Sequence, residues 1–215
     1  MSDTSLKKHE PVLPDSAQLQ EIVQDAIRQA QALGADAVEA GISEDIGLSV
    51  TVRLGEAETL EYNHDRGMGL TVYFDHCKGS ASTADFAPDS IRDTVQAACD
   101  IARYTSKDPC AGLADPDRLA TAVPDLDLYH PWDLSAEQAI EVTRECEAAA
   151  REVDERIVNS EGATVGSYAG LRVSGNSNGF LGGYRSTRHN LGCAVVGKQD
   201  GEMQRDYWNV SARDS

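Results

Sequence analysis

The chain holds five histidines, and the neighbours of each set what chemistry it could do. Metal-assisted hydrolysis needs ligands converging on an ion that keeps one position open for water, with a carboxylate close by to take the proton. On a helix, two such ligands must lie one turn apart. His9-Glu10 is the only His-Glu pair in the sequence; Pro11 follows it, and no second histidine lies a turn away. A zinc site is not expected from these residues. His64 beside Asp65 and His76 beside Asp75 fall at expected turns, where hairpin tips could gather them into a ligand cluster. Turn chemistry alone accounts for both aspartates, and solvated turn residues are the expectation. His76-Cys77 would activate a thiolate only if the two side chains met in space. Neighbours on a strand point to opposite faces, so an inert thiol is expected.

Gly175-Asn176-Ser177-Asn178-Gly179 has the Gly-x-Ser-x-Gly form of a nucleophile elbow. An elbow must open a helix, whereas Phe180 to Tyr184 reads as strand or loop. No acidic residue lies between Ser177 and His189 to give the order serine, acid, histidine. A hairpin turn is the better reading. Gly67-Met68-Gly69 lacks the third glycine of a dinucleotide fingerprint, and Gly197-Lys198 lacks the upstream glycine of a phosphate loop. Asn209-Val210-Ser211 is a glycosylation acceptor in form only, since no export signal accompanies it. No catalytic, cofactor-binding or metal-ligating residue is therefore assigned to the chain.

The elements that would position these residues follow from hydrophobic period. Leu19, Ile22, Val23, Ala26, Ile27, Ala30 and Leu33 repeat at three and four, predicting a helix from Ser16 to Leu33 with Asp15 or Ser16 as cap and Gly34 beyond its end. From Ala37 the period becomes two. Ile46, Leu48, Val50, Val52 and Leu54 alternate with small or polar residues as a half-buried strand does. Gly55-Glu56 punctuates it, Ala57 to Tyr62 makes a return, and Asp65-Arg66-Gly67 is expected to turn again into Met68, Leu70, Val72 and Phe74. Pro88 suits a helix's first turn, and Ile91, Val95, Ala98 and Ala102 mark its buried face to Tyr104. Pro109, Pro116, Pro124 and Pro131 interrupt an ordered connector. Ser135 and Gln138 form a capping-box pattern for a third helix to about Val153. Ten of the 18 glycines then fall between Gly162 and Gly201, as in hairpins with turns at 175–179 and 199–201. The fold class is α+β, mostly antiparallel β-sheets packed against three main helices.

Composition narrows the partners. Nineteen basic against 36 acidic residues give a net charge of −17, which repels phosphate backbones and argues against nucleic acid. No stretch approaches the roughly 18 apolar residues of a membrane span, and no apolar run follows the lysines near the start. Five dispersed cysteines without Cys-x-x-Cys disfavour disulfides and a zinc knuckle, and point to a reducing cytoplasm.

Arg66-Gly67-Met68-Gly69-Leu70-Thr71-Val72-Tyr73-Phe74, continuing through Cys77-Lys78-Gly79-Ser80-Ala81-Ser82-Thr83-Ala84-Asp85 into Pro88-Asp89-Ser90-Ile91, resembles a signature of the TldD/PmbA family, the modulator-of-gyrase or microcin-processing peptidases. Val158-Asn159-Ser160-Glu161-Gly162 is similar to the family's segment after the third helix. The short connector around Tyr129-His130-Pro131-Trp132 is closer to the PmbA (TldE) branch. The resemblance implies the amino-terminal half of such a protein: a flexible tail over 1–14, then one domain over 15–215, divided at 15–104, 105–134 and 135–215, with a carboxyl-terminal domain absent. It implies a cytoplasmic heterodimer in which a TldD-type subunit holds zinc in its carboxyl-terminal half, while the PmbA-type subunit, or a second copy, completes a closed chamber. Substrates would be unfolded peptides, including leader peptides of antibacterial peptides. The His-Glu-x-x-x-His element of catalytic members is missing from these 215 residues. A free sheet edge, with Gly67–Phe74 and Leu171–Gly175 as candidates, could take a peptide as an added strand. The competing reading is a non-enzymatic interaction or regulatory module; an independent hydrolase finds no support in the constellations above.

Overall fold

The computed structural model describes residues 13–214. Helix α1 (Ser16–Ala32) leads into β1 (Ala37–Arg53), β2 (Glu56–Phe74) and β3 (Cys77–Thr83). Helix α2 (Pro88–Tyr104) follows, then a connector with one 3-10 turn at Pro116–Arg118, helix α3 (Ala136–Arg151), and strands β4 (Ile157–Asn176), β5 (Leu181–Gln199) and β6 (Glu202–Ala212). The expected plural sheets are one: six strands in the order β3-β2-β1-β4-β5-β6, with every neighbouring pair antiparallel.

Local signals place the helices. The Asp15 carboxylate accepts the Ala17 N–H at 3.1 Å, and Gly34, at φ +92°, follows the helix end. Pro88 occupies the first turn of α2. Both halves of the capping box form on α3, Gln138 N–H to Ser135 Oγ and Ser135 N–H to Gln138 Oε1.

One expected turn does not exist. Asp65, Arg66 and Gly67 lie in the middle of β2, paired with Asp45, Glu44 and Ser43 of β1. Their turn-forming tendency is local, whereas the 17-residue β1 offers hydrogen bonds along its whole length, and the ladder wins. The proposed peptide-accepting edges are corrected for the same reason. Met68–Phe74 lies between β1 and β3, and Leu171–Gly175 lies between β1 and β5. The β2–β3 ladder begins only at Met68, whereas the β1–β2 ladder runs from Glu56.

All three helices cover one face. Val38, Ala40 and Ile42 of β1, with Met68, Leu70, Val72, Leu171 and Val173, pack under α1 and α2. Leu48, Val50, Val52 and Val165 pack against α3. Each fully buried aliphatic side chain contributes about 1.5–3 kcal/mol. Leu13, in the stretch expected to be a loose tail, is buried in the first core, and the Pro14 carbonyl accepts from Arg185 at 3.3 Å. No helix among the described residues is long and apolar enough to cross a membrane.

Candidate functional site

Between the two cores the helix-side face turns polar. Glu44, buried on β1, accepts from His64 Nε2 at 2.7 Å. His64 was expected at a turn; β2's continuity puts it in a strand instead, opposite Ile46 and two residues along from Glu44 on the same face. On β4 and β5, Ser167 stands opposite His189, with Ser167 Oγ to His189 Nδ1 at 3.0 Å and His189 Nε2 to the His130 carbonyl at 3.0 Å. A carbonyl can only accept, so Nε2 carries the proton and Ser167 O–H donates to Nδ1. The Trp132 ring meets the His189 ring edge-on at 5.6 Å, and both line a small hollow of about 210 Å³.

Ser167 and His189 have the spacing of a nucleophile and base, yet the third position is a neutral carbonyl and His189 is only 5% exposed. Thr187, beside it on β5, accepts the His130 N–H at 2.9 Å and donates to the Arg213 carbonyl at 2.7 Å, and its own N–H goes to the Leu128 carbonyl. These bonds converge on connector residues 128–132, so the cluster is a clamp that ties the connector to the sheet. Sequence reading missed this pair. Ser167 and His189 are each eleven residues from Asn178, one residue beyond the centre of the expected turn, so only the observed register pairs them.

The remaining candidates are dispersed. Ser177 sits in the expected turn; its hydroxyl accepts the Val38 N–H at 3.0 Å, and the segment leads into β5. His76 is in a two-residue turn with Asp75, both at positive φ, and its Nδ1 meets the Ala111 carbonyl at 2.9 Å. Lys107, at 2.7 Å, holds the Asp75 carboxyl below its usual range. His130 Nε2 meets the Asp127 carbonyl at 2.9 Å. The His9-Glu10 pair lies outside the described residues. Each of the four described histidines is engaged in these bonds, and no three His, Cys, Asp or Glu converge among the described residues. Burial raises the Cys99 and Cys146 thiols and pushes Cys193 up to about 11, which keeps all three protonated at neutral pH.

Among the described residues, the opposite face of the sheet carries no α-helix. Its floor is made of small residues: Gly41 and Ser43 of β1, Gly67 and Gly69 of β2, Ser82 of β3 and Ser174 of β4 line a hollow of about 610 Å³. A second of about 430 Å³ adjoins it where Leu119 and Ala120 of the connector cross one end. A third, of about 410 Å³, extends the face toward β5 and carries Asp45, Tyr168, Arg172 and Arg188. At the crossed end, Tyr73 O–H donates to Glu39 at 2.9 Å, and burial with that carboxylate pushes the phenol up to about 12.

Residues 38–102 match the PmbA/TldA metallopeptidase domain 1, and residues 129–214 match the central domain of the same proteins. The two segments meet at the β1–β4 pairing and share one sheet. A relative from Escherichia coli O157:H7 named metalloprotease PmbA is 49% identical over 88% of this chain and 42% of its own length. A PmbA homologue from Haemophilus influenzae is 42% identical over 92% of the chain and 44% of its own. The chain thus spans less than half the length of these relatives. A crystal structure from Bacteroides thetaiotaomicron, described as a candidate modulator of DNA gyrase, superposes with a TM-score of 0.84 at 26% identity, over 94% of this chain and 46% of that one. TldE from Thermococcus kodakarensis shares the fold at 18% identity, with a TM-score of 0.72 over 90% of this chain and 43% of its own. Matched segments on both sides of the connector, and a shared fold from end to end, place the chain in the PmbA/TldD metallopeptidase family.

Proposed function

We propose that this chain is the amino-terminal portion of a PmbA/TldE-type subunit of a cytoplasmic zinc peptidase complex, and that its helix-free sheet face is a wall of the chamber where an unfolded peptide is held. A TldD-type partner supplies the zinc and the bond cleavage; the substrates are unfolded peptides or leader segments of antibacterial peptide precursors. The observation that carries this reading is the small-residue floor of Gly41, Ser43, Gly67, Gly69, Ser82 and Ser174. A sheet face left open by all three helices, with small residues across this hollow and Arg172 at its side, suits contact with an extended chain of varied sequence.

The test is co-purification of the full-length protein with a TldD-type partner, followed by cleavage assays on an unfolded peptide and measurement of bound zinc. Ser43→Trp and Ser174→Trp fill the floor while leaving the helix-side core untouched. Cleavage only with the partner, lost in these variants although the complex still forms, is the expected result. Full cleavage by both variants overturns the wall, and no cleavage with the partner favours an interaction module. A second route is favoured by one observation: among the described residues, Glu56–Glu61 of β2 ladders with β1 and not with β3, so a peptide strand can add there through backbone hydrogen bonds. Proline substitutions along that stretch separate the two, since they block strand addition and leave the floor intact.

A further inference from the structure

The third hollow of the helix-free face, about 410 Å³, gathers several charged side chains, where the only charged residue lining the first is Arg172 and the only one lining the second is Glu39. Arg172, Arg188 and Arg213 line it together with Asp45 and Asp65, which leaves one net positive charge on a chain whose overall charge is −17. The three arginines are not equivalent. Arg172 is matched, its Nη2 lying 2.7 Å from the Asp45 carboxylate. Arg188 donates Nε–H to the Ser211 hydroxyl at 3.2 Å, and Arg213 donates from Nη1 to the Thr187 carbonyl at 3.2 Å, both neutral acceptors. A guanidinium carries five N–H donors in a planar fork, so most of the donors on each are left for something else. Asp65 stands on β2, three strand spacings from β5, or about 14 Å away.

The walls of this hollow are built to a shape. A Cβ added at Gly47 would lie 2.1 Å from the Tyr168 ring, and one at Gly166 would lie 2.7 Å from it, so these two glycines let the ring lie flat on the sheet. A Cβ at Gly170 would come within 2.3 Å of Asp45 Oδ1, so glycine there makes room for the carboxylate that holds Arg172. Tyr168, Asp45 and Arg172 thus form a fixed floor beside two guanidiniums that have no anionic partner among the described residues.

The structure assigns this hollow as a carboxylate-binding subsite, in which Arg188 and Arg213 receive an acidic side chain or the free carboxyl terminus of a peptide lying on the helix-free face. It rests on the wall reading above and names the substrate chemistry that wall prefers. Fork-to-carboxylate hydrogen bonds are charge-assisted, and each oxygen can accept from a separate N–H.

The experiment uses full-length protein expressed from its natural gene and three fluorescently labelled, acetylated Gly/Ser/Ala decapeptides. The first has an amidated carboxyl terminus, the second a free terminal carboxylate, and the third an amidated terminus with two internal aspartates. Binding is read by anisotropy for the natural protein and for the double variant Arg188→Gln, Arg213→Gln, whose fold is checked by its melting temperature. The expected result is roughly tenfold tighter binding of a carboxylate-bearing peptide than of the neutral one, shrinking as salt rises. The variant loses that advantage while its affinity for the neutral peptide is unchanged. Preference for the second peptide alone identifies a terminal carboxylate, and preference for the third an acidic side chain. Neutral binding with no carboxylate advantage, or an advantage that survives the double substitution, overturns the subsite alone. If none of the three peptides binds, the wall and the subsite fall together.

Discussion

Glu147 on α3 and Leu54 in the β1–β2 turn are joined by a 2.8 Å hydrogen bond from the Leu54 N–H to one carboxylate oxygen, while the Gly55 N–H reaches the other oxygen at 2.8 Å. Leu54 sits at φ +51°, a conformation that costs a side-chain-bearing residue about 1 kcal/mol. The carboxylate, only 1% exposed, holds the turn in that shape and ties α3 to the turn end of the β1–β2 hairpin. Glu147→Ala leaves two N–H groups without their acceptor and should cost about 3 kcal/mol in chemical denaturation. Glu147→Gln keeps one acceptor oxygen and should cost less. Leu54→Gly should not destabilise, because the strain it removes offsets the side chain it loses.

The same carboxylate sets an acid limit. Burial by itself would raise the Glu147 carboxyl, but hydrogen bonds from Ser160, Gly55 and Leu54, with the charge of Arg151, outweigh it and hold the group below the ordinary glutamate value of 4.5. A depressed folded-state value means the unfolded chain binds the proton first. Its stabilisation is therefore fully present above 4.5 and is lost as pH falls through the lower folded-state value. Melting temperature followed from pH 7 down to pH 3 should fall less steeply for Glu147→Gln than for the natural protein; parallel curves would remove Glu147 from the account.

Thr187 tests the clamp. It is 1% exposed, and Thr187→Val keeps its shape while removing the acceptor for the His130 N–H and the donor to the Arg213 carbonyl. A cost of about 1–3 kcal/mol is expected. Exchange of the His130 amide should accelerate, and protease should cut the connector between residues 119 and 134 sooner, with α1 and α2 unaffected.

Two glycines of neighbouring strands should behave oppositely. A Cβ at Gly79 would lie 2.1 Å from the Ala98 carbonyl oxygen and 2.5 Å from the Ala102 nitrogen, both backbone atoms of α2 that cannot swing away. Gly79→Ala should destabilise by about 3 kcal/mol or more, seen as a fall in melting temperature. Gly69→Ala meets nothing within 4 Å and should be neutral or stabilise by about 0.5 kcal/mol.

Much of the local structure was legible in the residues. Helix α2 runs over Pro88–Tyr104 as its period predicts, since Pro88 fixes the start and Ile91, Val95, Ala98 and Ala102 share one face. The capping box at Ser135 and the turns at 175–179 and 199–201 were legible for the same reason: their signals lie within a few residues of where they act. The family signature was legible too, being a matter of residue order. At Asp65-Arg66-Gly67 local signals failed, because a strand 20 residues away supplied the bonds that kept the chain extended.

What only the tertiary structure decided was which residues meet. The β1–β4 pairing joins segments more than 100 residues apart into one sheet, and through it Asp45 meets Arg172 and Thr51 meets Thr164. No periodicity encodes such a pairing, since a strand's alternation specifies which face is buried but not which neighbour it accepts. The open face with its cluster of arginines and the helix side with its clamp both follow from that choice. The sequence determined the elements and their buried sides; register across distant strands, set by mutual burial under the helices, determined the sites.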